Sequence, residues 1–230
     1  MSEEVCYLCL QEATLETLFM DPNPCACKGI IKMHQTCFNK LSKTTQRCAI
    51  CNNKWILNGC IIKYWRNGQK KTEVNYVNGQ MEGLYRSWYW TSQKLVETYY
   101  VNGQIEGLFQ QWYNNGLKWV EQNYKNCKRE GLTLEWYQNG NKKLETNYVD
   151  GKINGLYQTW YINEQKFTEY NCVNGQIEGL YLSCYDNGNK KLEINYVNGL
   201  QHGLYQQWNE DGTKRPDTYY DNGVLVDGPL

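Results

Sequence analysis

The chain has 230 residues, with 24 Lys+Arg balancing 24 Asp+Glu, so its formal net charge is zero and no global field draws it to nucleic acid or to an acidic membrane surface. No apolar run approaches the ~18 residues of a membrane span, and Met1–Val5 is acidic and lacks a signal-peptide core, so the expected address is the cytosol or nucleus, the cytoplasm foremost, where thiols stay reduced. A chain of this length exceeds one zinc module of about 50 residues and suits one or two domains.

Seven of the eleven cysteines and one of the two histidines crowd into the first 51 residues. They form four close pairs: Cys6-x2-Cys9, Cys25-x-Cys27, His34-x2-Cys37 and Cys48-x2-Cys51. Such spacings present two donors to one metal ion and strain a disulfide. Eight ligands suffice for two tetrahedral Zn2+ sites, structural because every position is filled by protein. Two pairings are open. Sequential pairing puts Cys6, Cys9, Cys25 and Cys27 on one ion. Interleaved pairing puts Cys6, Cys9, His34 and Cys37 on one, and Cys25, Cys27, Cys48 and Cys51 on the other. Interleaving ties distant segments into one body, which a domain with little core needs.

The run from Cys25-Ala-Cys27 through His34-Gln-Thr-Cys37 to Cys48-Ala-Ile-Cys51 resembles the RING-CH finger (RINGv, MARCH-like), the variant RING of membrane-associated ubiquitin ligases and related viral proteins. The resemblance implies interleaved ligation, a small zinc-binding α+β fold over residues 1–57, and recruitment of a ubiquitin-conjugating enzyme. By the same resemblance Leu8, Leu41 and Ile50 stand where that enzyme would be contacted. The finger would supply no nucleophile and no catalytic residue of its own, and would work by orienting the charged enzyme toward a substrate lysine. The chain departs from the family in four places, one being the ten residues between Cys37 and Cys48, at the short edge of the family's range. Six residues separate Cys27 from His34 where seven are usual, Leu41 replaces an expected tryptophan, and no pair of membrane spans follows. The PHD finger shares the ligand order but has Cys-x2-Cys as its second pair and a tryptophan where Gln46 stands here. A purely structural zinc knot is the third reading.

From Gly59 onward the chain repeats every 24 residues, with Gly59, Gly83, Gly107, Gly131, Gly155, Gly179 and Gly203 opening seven units over residues 58–230, the last followed by a short terminal cap. A fixed period in this range marks an array whose units bury their apolar faces on one another. Each unit carries two turn signals, a middle one such as Asn67-Gly68 or Asn139-Gly140 and an end one such as Asn78-Gly79 or Asn174-Gly175. Asn-Gly tolerates the positive φ of tight hairpin turns. Runs rich in Tyr, Trp, Leu, Val and Thr lie between them, so each unit predicts two antiparallel strands, and seven units predict a meander about 70 Å long at ordinary strand spacing.

Alternation assigns the faces. Leu156, Gln158 and Trp160 share one side, and Tyr157, Thr159 and Tyr161 the other. Leu144, Thr146 and Tyr148 oppose Lys143, Glu145 and Asn147. Lysine recurs at the twelfth position of every unit, from Lys70 to Lys214, and glutamate three residues later, from Glu73 to Glu193, with Asp217 in the last. This reads as a solvated charge pattern that protects the sheet. Cys60, Cys127, Cys172 and Cys184 fall at positions that other units fill with Leu, Gly, Tyr or Trp and read as small core or surface residues, not ligands.

The unit resembles the MORN-type repeat, in the variant that spaces Tyr and Gly along two strands, over residues 59–227. That resemblance implies stacked antiparallel hairpins and contact with proteins or membranes, and no chemistry. Finger and array together, in an Asn-, Lys- and Tyr-rich chain, are similar to ubiquitin ligase-like proteins of large DNA viruses, which would place the protein in the host cytoplasm. The function that follows is RING-type ubiquitin transfer: the finger holds the conjugating enzyme, and the array, rich in the Tyr and Trp that dominate interface hot spots, holds a protein substrate. The alternatives are a non-enzymatic adaptor with a structural zinc finger, and a chromatin reader. Neither nucleic acid nor a transmembrane segment enters any of these readings.

Overall fold

The computed structural model describes residues 59–228, in two units that meet between Glu106 and Gly107. The eight proposed zinc ligands and Leu8, Leu41 and Ile50 lie outside the described residues. In the first unit β1 (Gly59–Tyr64), β2 (Lys70–Val77), β4 (Gly83–Trp88) and β5 (Lys94–Val101) pair in that order, with the two-residue β3 (Gln80–Met81) on β2. In the second unit each strand pairs antiparallel with the next in chain order. These are β6 (Gln104–Trp112), β7 (Lys118–Lys125), β8 (Lys128–Trp136), β9 (Lys142–Val149), β10 (Lys152–Trp160), β11 (Lys166–Val173), β12 (Gln176–Cys184), β13 (Lys190–Val197), β14 (Leu200–Gln207), β15 (Thr218–Asp221) and β16 (Val224–Val226). The meander expected from the turn spacing is present within each unit, and the described residues include no helix.

The two turns of a repeat share a dipeptide but not a geometry. At the end turns both residues take positive φ, as in Asn78 (51°) with Gly79 (80°) and Asn174 (52°) with Gly175 (85°). This is the two-residue hairpin turn whose twist matches the strands it joins. At the middle turns only the glycine does, as in Gly68 (81°) and Gly140 (93°). There Gly68 N donates to Trp65 O at 3.0 Å and Trp65 N to Gln69 O at 2.8 Å. The middle asparagine acts through its side chain, Asn67 Oδ1 accepting from Gln69 N at 3.2 Å. The expectation that positive φ selects Asn-Gly therefore holds fully only at the end turns; at the middle turns the asparagine is chosen for its carboxamide.

Register places every second side chain on one of two faces. In β10 and β11, Tyr157 opposes Tyr170, Thr159 opposes Thr168 and Gly155 opposes Cys172, while Leu156 faces Asn171 and Gln158 faces Glu169. The register then slips so that Trp160 opposes Lys166, which leaves Phe167 as the extra residue of a bulge. The same slip recurs between β6 and β7, β8 and β9, and β12 and β13. The alternation read from the sequence is recovered. One face is tyrosine-rich and carries the buried positions; the other carries leucine, tryptophan, lysine and glutamate.

A one-layer sheet has little to bury against, and the buried set is accordingly small and polar. Thr133, Thr146 and Ile194 are each 1% exposed, and Ser87, Gln122, Thr168 and Ser183 are also buried. Neighbouring repeats cover these side chains along the sheet, which is the energetic logic of a repeat array. The cover is fixed by side chains that reach one repeat ahead. Tyr113, Tyr137, Tyr161 and Tyr185 each donate a hydroxyl bond to a backbone carbonyl 23 residues on, at Trp136, Trp160, Cys184 and Trp208, over 2.7 to 3.0 Å. Asn115, Asn163 and Asn187 likewise donate Nδ2 to Gln138 O, Asp186 O and Glu210 O at 2.7 to 2.8 Å. In the repeat that starts at Gly203 the same positions are Asn209 and Asp211. Asn209 Nδ2 donates to Thr213 Oγ1 at 2.9 Å; Asp211 keeps the turn bond of the other repeats, Oδ1 accepting from Thr213 N at 2.9 Å, but as a carboxylate has no amide to extend.

Candidate functional site

Within each unit the lysine and glutamate columns interlock as a ladder. Each lysine is ion-paired with the carboxylate three residues on in its own repeat. Lys142 Nζ lies 2.6 Å from Glu145 and Lys190 Nζ 2.7 Å from Glu193, and Lys118–Glu121 and Lys166–Glu169 repeat the pair. The opposing strand adds a donor, as when Gln110 Nε2 donates to Glu121 at 2.8 Å and Arg86 Nε to Glu97 at 2.8 Å. The lysine also stands over the indole of the next repeat: Lys142 over Trp160 at 5.2 Å, Lys190 over Trp208 at 5.4 Å and Lys118 over Trp136 at 5.9 Å. Where the next repeat has Cys184 in place of tryptophan, Lys166 keeps only its carboxylate partner. The indole contacts were not legible in the sequence, because they join residues 18 apart through register alone.

The donors set the carboxylates' titration. Hydrogen bonds from Lys118 and Gln110 hold Glu121 below the ordinary carboxylate range, and Lys166 with Gln158 does the same for Glu169. At Glu97 partial burial pushes upward, and the bonds from Arg86 and Lys94 outweigh it, leaving the carboxyl low. These groups stay ionised and occupied at neutral pH, which suits structure and not acid–base chemistry. Being half-exposed, each pair contributes on the order of 0–1 kcal/mol. Outside the ladder on this face a row of leucines is solvent-exposed, Leu108, Leu132, Leu156, Leu180 and Leu204 among them, at 39% to 49%.

The opposite face is aromatic. Tyr157 stacks on Tyr170 with centroids 4.6 Å apart, and Tyr170 on Tyr181 at 5.4 Å. Burial pushes the phenols of Tyr157 and Tyr170 up, Tyr170 most strongly. Cys172 is buried with its thiol likewise raised by burial, Cys184 is half-buried, and Cys60 and Cys127 are exposed. Among the described residues no three His, Cys, Asp or Glu side chains gather as a metal site, and no helix is long and apolar enough to cross a membrane. What the described part of the chain offers is two periodic surfaces, one of ion pairs, indoles and leucines and one of tyrosines.

Comparison with known proteins agrees with this geometry. The family model described as "MORN repeat variant" matches residues 57–78, 129–150 and 177–198; the chain carries MORN repeats, and the matched segments span the β1–β2, β8–β9 and β12–β13 hairpins. No curated protein matches the chain. One solved structure that does is an S. aureus TarM mutant in complex with fondaparinux, alpha-GlcNAc-glycerol and UDP. It is 10% identical, with 73% of this chain and 23% of that chain covered, at a TM-score of 0.22. The chain thus spans less than a quarter of that structure, and the likeness bears on nothing further here.

Proposed function

We propose that the chain is a RING-type ubiquitin ligase in which residues 1–57 recruit a ubiquitin-conjugating enzyme and the MORN repeats hold the protein to be modified. The observation that carries this reading is the ligand set Cys6, Cys9, Cys25, Cys27, His34, Cys37, Cys48 and Cys51, with its single-residue gap and its histidine in fifth place. Two structural zinc ions would fold the finger, and Leu8, Leu41 and Ile50 would meet the conjugating enzyme. The repeats support the second half. They expose a leucine row beside tryptophans on one face and tyrosines on the other, and they keep their carboxylates locked to lysines. Transfer would proceed by orientation, since the thioester belongs to the conjugating enzyme and the nucleophile to the substrate.

Zinc-loaded full-length protein incubated with activating enzyme, a panel of conjugating enzymes, ubiquitin and ATP should build ubiquitin chains, and the Cys6→Ser/Cys9→Ser variant should not. A folded, zinc-loaded protein inert with the whole panel would overturn the proposal. Leu41, standing where the family has tryptophan, favours a second reading, an adaptor that captures a partner without transferring ubiquitin. Stable partner capture with no chain formation would select it.

A further inference from the structure

The array is its own control: a position that departs from the period stands out against six equivalents. Three departures on the tyrosine face converge at one place. Position 122 is glutamine where other repeats have Val74, Thr98, Thr146 or Ile194; position 129 is arginine where they have Met81, Ile105, Ile153, Ile177 or the uncharged Gln201; position 133 is threonine where they have Tyr85, Phe109, Tyr157 or Tyr181. Register brings them together, with Gln122 opposite Thr133, Tyr124 opposite Arg129 and Thr133 opposite Thr146.

The cluster is made of donors. Gln122 Nε2 donates to the Tyr124 hydroxyl at 2.7 Å, and Arg129 Nη1 donates to the Tyr148 hydroxyl at 2.9 Å with its guanidinium 5.1 Å from the Tyr148 ring centre. Both phenols already accept, so both retain a proton to give. Arg86, by contrast, is neutralised by Glu97, whereas the hydrogen-bond partners of Arg129 among the described residues are phenols. Beside them the hydroxyls of Thr133 and Thr146 are buried without a partner. Arg129, Tyr124 and Tyr148 themselves are half-buried and reachable from solvent.

We propose that Arg129, Tyr124 and Tyr148 form a phosphate-binding site on the tyrosine face. A guanidinium fork takes two oxygens, which a carboxylate and a phosphate both supply. The two flanking phenols ask for further acceptor oxygens, which the three terminal oxygens of a phosphate group supply. The neighbouring tyrosine rings favour a phosphate monoester on an aromatic or other planar group over the free ion. This site does not rest on the ligase reading, and its test is independent of ubiquitin transfer.

The test is an NMR titration of isotope-labelled, zinc-loaded full-length protein at constant ionic strength, with inorganic phosphate, phenyl phosphate and acetate. The expected result is a saturable shift of the Arg129 Nε–Hε and Tyr148 ring signals. Half-saturation should fall on the order of millimolar for inorganic phosphate, several-fold lower for phenyl phosphate, with no saturation by acetate. Arg129→Ile places the side chain that equivalent repeats tolerate and should abolish the shift while leaving other resonances in place. Tyr148→Phe should raise the half-saturation several-fold. A non-saturating drift, an unchanged response in Arg129→Ile or Tyr148→Phe, or acetate binding as tightly as phosphate would each overturn the assignment.

Discussion

Tyr170 and Cys172 have exchanged bulk relative to their equivalents. Six repeats place tyrosine at the position of Cys172, among them Tyr124, Tyr148 and Tyr196, while the position of Tyr170 holds a smaller residue, as in Thr146 and Ile194. Both face the same side, and Cys172 is 3% exposed, so the ring of Tyr170 fills space that a neighbouring tyrosine fills elsewhere. Cys172→Tyr alone should overpack the face and cost about 1–3 kcal/mol, and Tyr170→Thr alone should strip the stacks on Tyr157 and Tyr181. The double variant, which restores the period, should lose markedly less than the sum of the two. Urea melts of the four proteins measure this, and simple additivity would refute the exchange. A second departure from the period is conformational. Cys127 takes φ 61° where other end turns have glycine, a left-handed backbone that disfavours a Cβ.

At the scale of the hairpin, the forward-reaching tyrosines decide how firmly one repeat grips the next. The hydroxyl of Tyr137 lies 2.7 Å from Trp160 O, and removing it leaves a half-buried carbonyl short of a donor. Tyr137→Phe should therefore cost about 1 kcal/mol, and Tyr161→Phe and Tyr185→Phe should cost similar amounts, because their bonds are translational copies. A neutral Tyr137→Phe in chemical denaturation would show that packing alone joins the repeats. The strands, their order and the two faces were legible in the sequence because Asn-Gly punctuates every dozen residues and the alternation is strict between turns. The forward bonds were not. A tyrosine hydroxyl that meets a backbone carbonyl 23 residues away leaves no trace in local pattern. Asn139 and Asn174 read identically before glycine, yet one uses its side chain and the other its backbone. Arg129 was equally silent, since a lone arginine among isoleucines gains meaning only once register sets Tyr124 and Tyr148 beside it. The cysteine and histidine pairs of residues 6–51 stand out in the sequence by their spacing alone, and their role as metal ligands is part of the proposal.

For the molecule as a whole, on the proposed reading, the two halves of the chain draw stability from different sources. A finger with eight such donors would need its metal to fold, while the described strands hold one another through backbone ladders and side-chain bonds that involve no metal. Stripping zinc with a thiol-reactive reagent and chelator should release two ions per chain and abolish ubiquitin transfer. The β-sheet circular dichroism of the repeats should survive. Collapse of that signal together with the metal would show that the array depends on the finger.

The repeat that opens at Gly203 lacks the forward tyrosine hydroxyl and side-chain amide that Tyr185 and Asn187 extend from the repeat before it. Asn209 and Asp211 satisfy Thr213 locally and leave nothing extended toward a successor. Another 24-residue copy grafted behind that repeat would thus meet a backbone ladder but no forward-reaching side chain. Splicing the same copy between Tyr185 and its neighbour's strand would give it donors on both sides. A copy inserted within the array is therefore expected to sit more firmly than one added behind the Gly203 repeat.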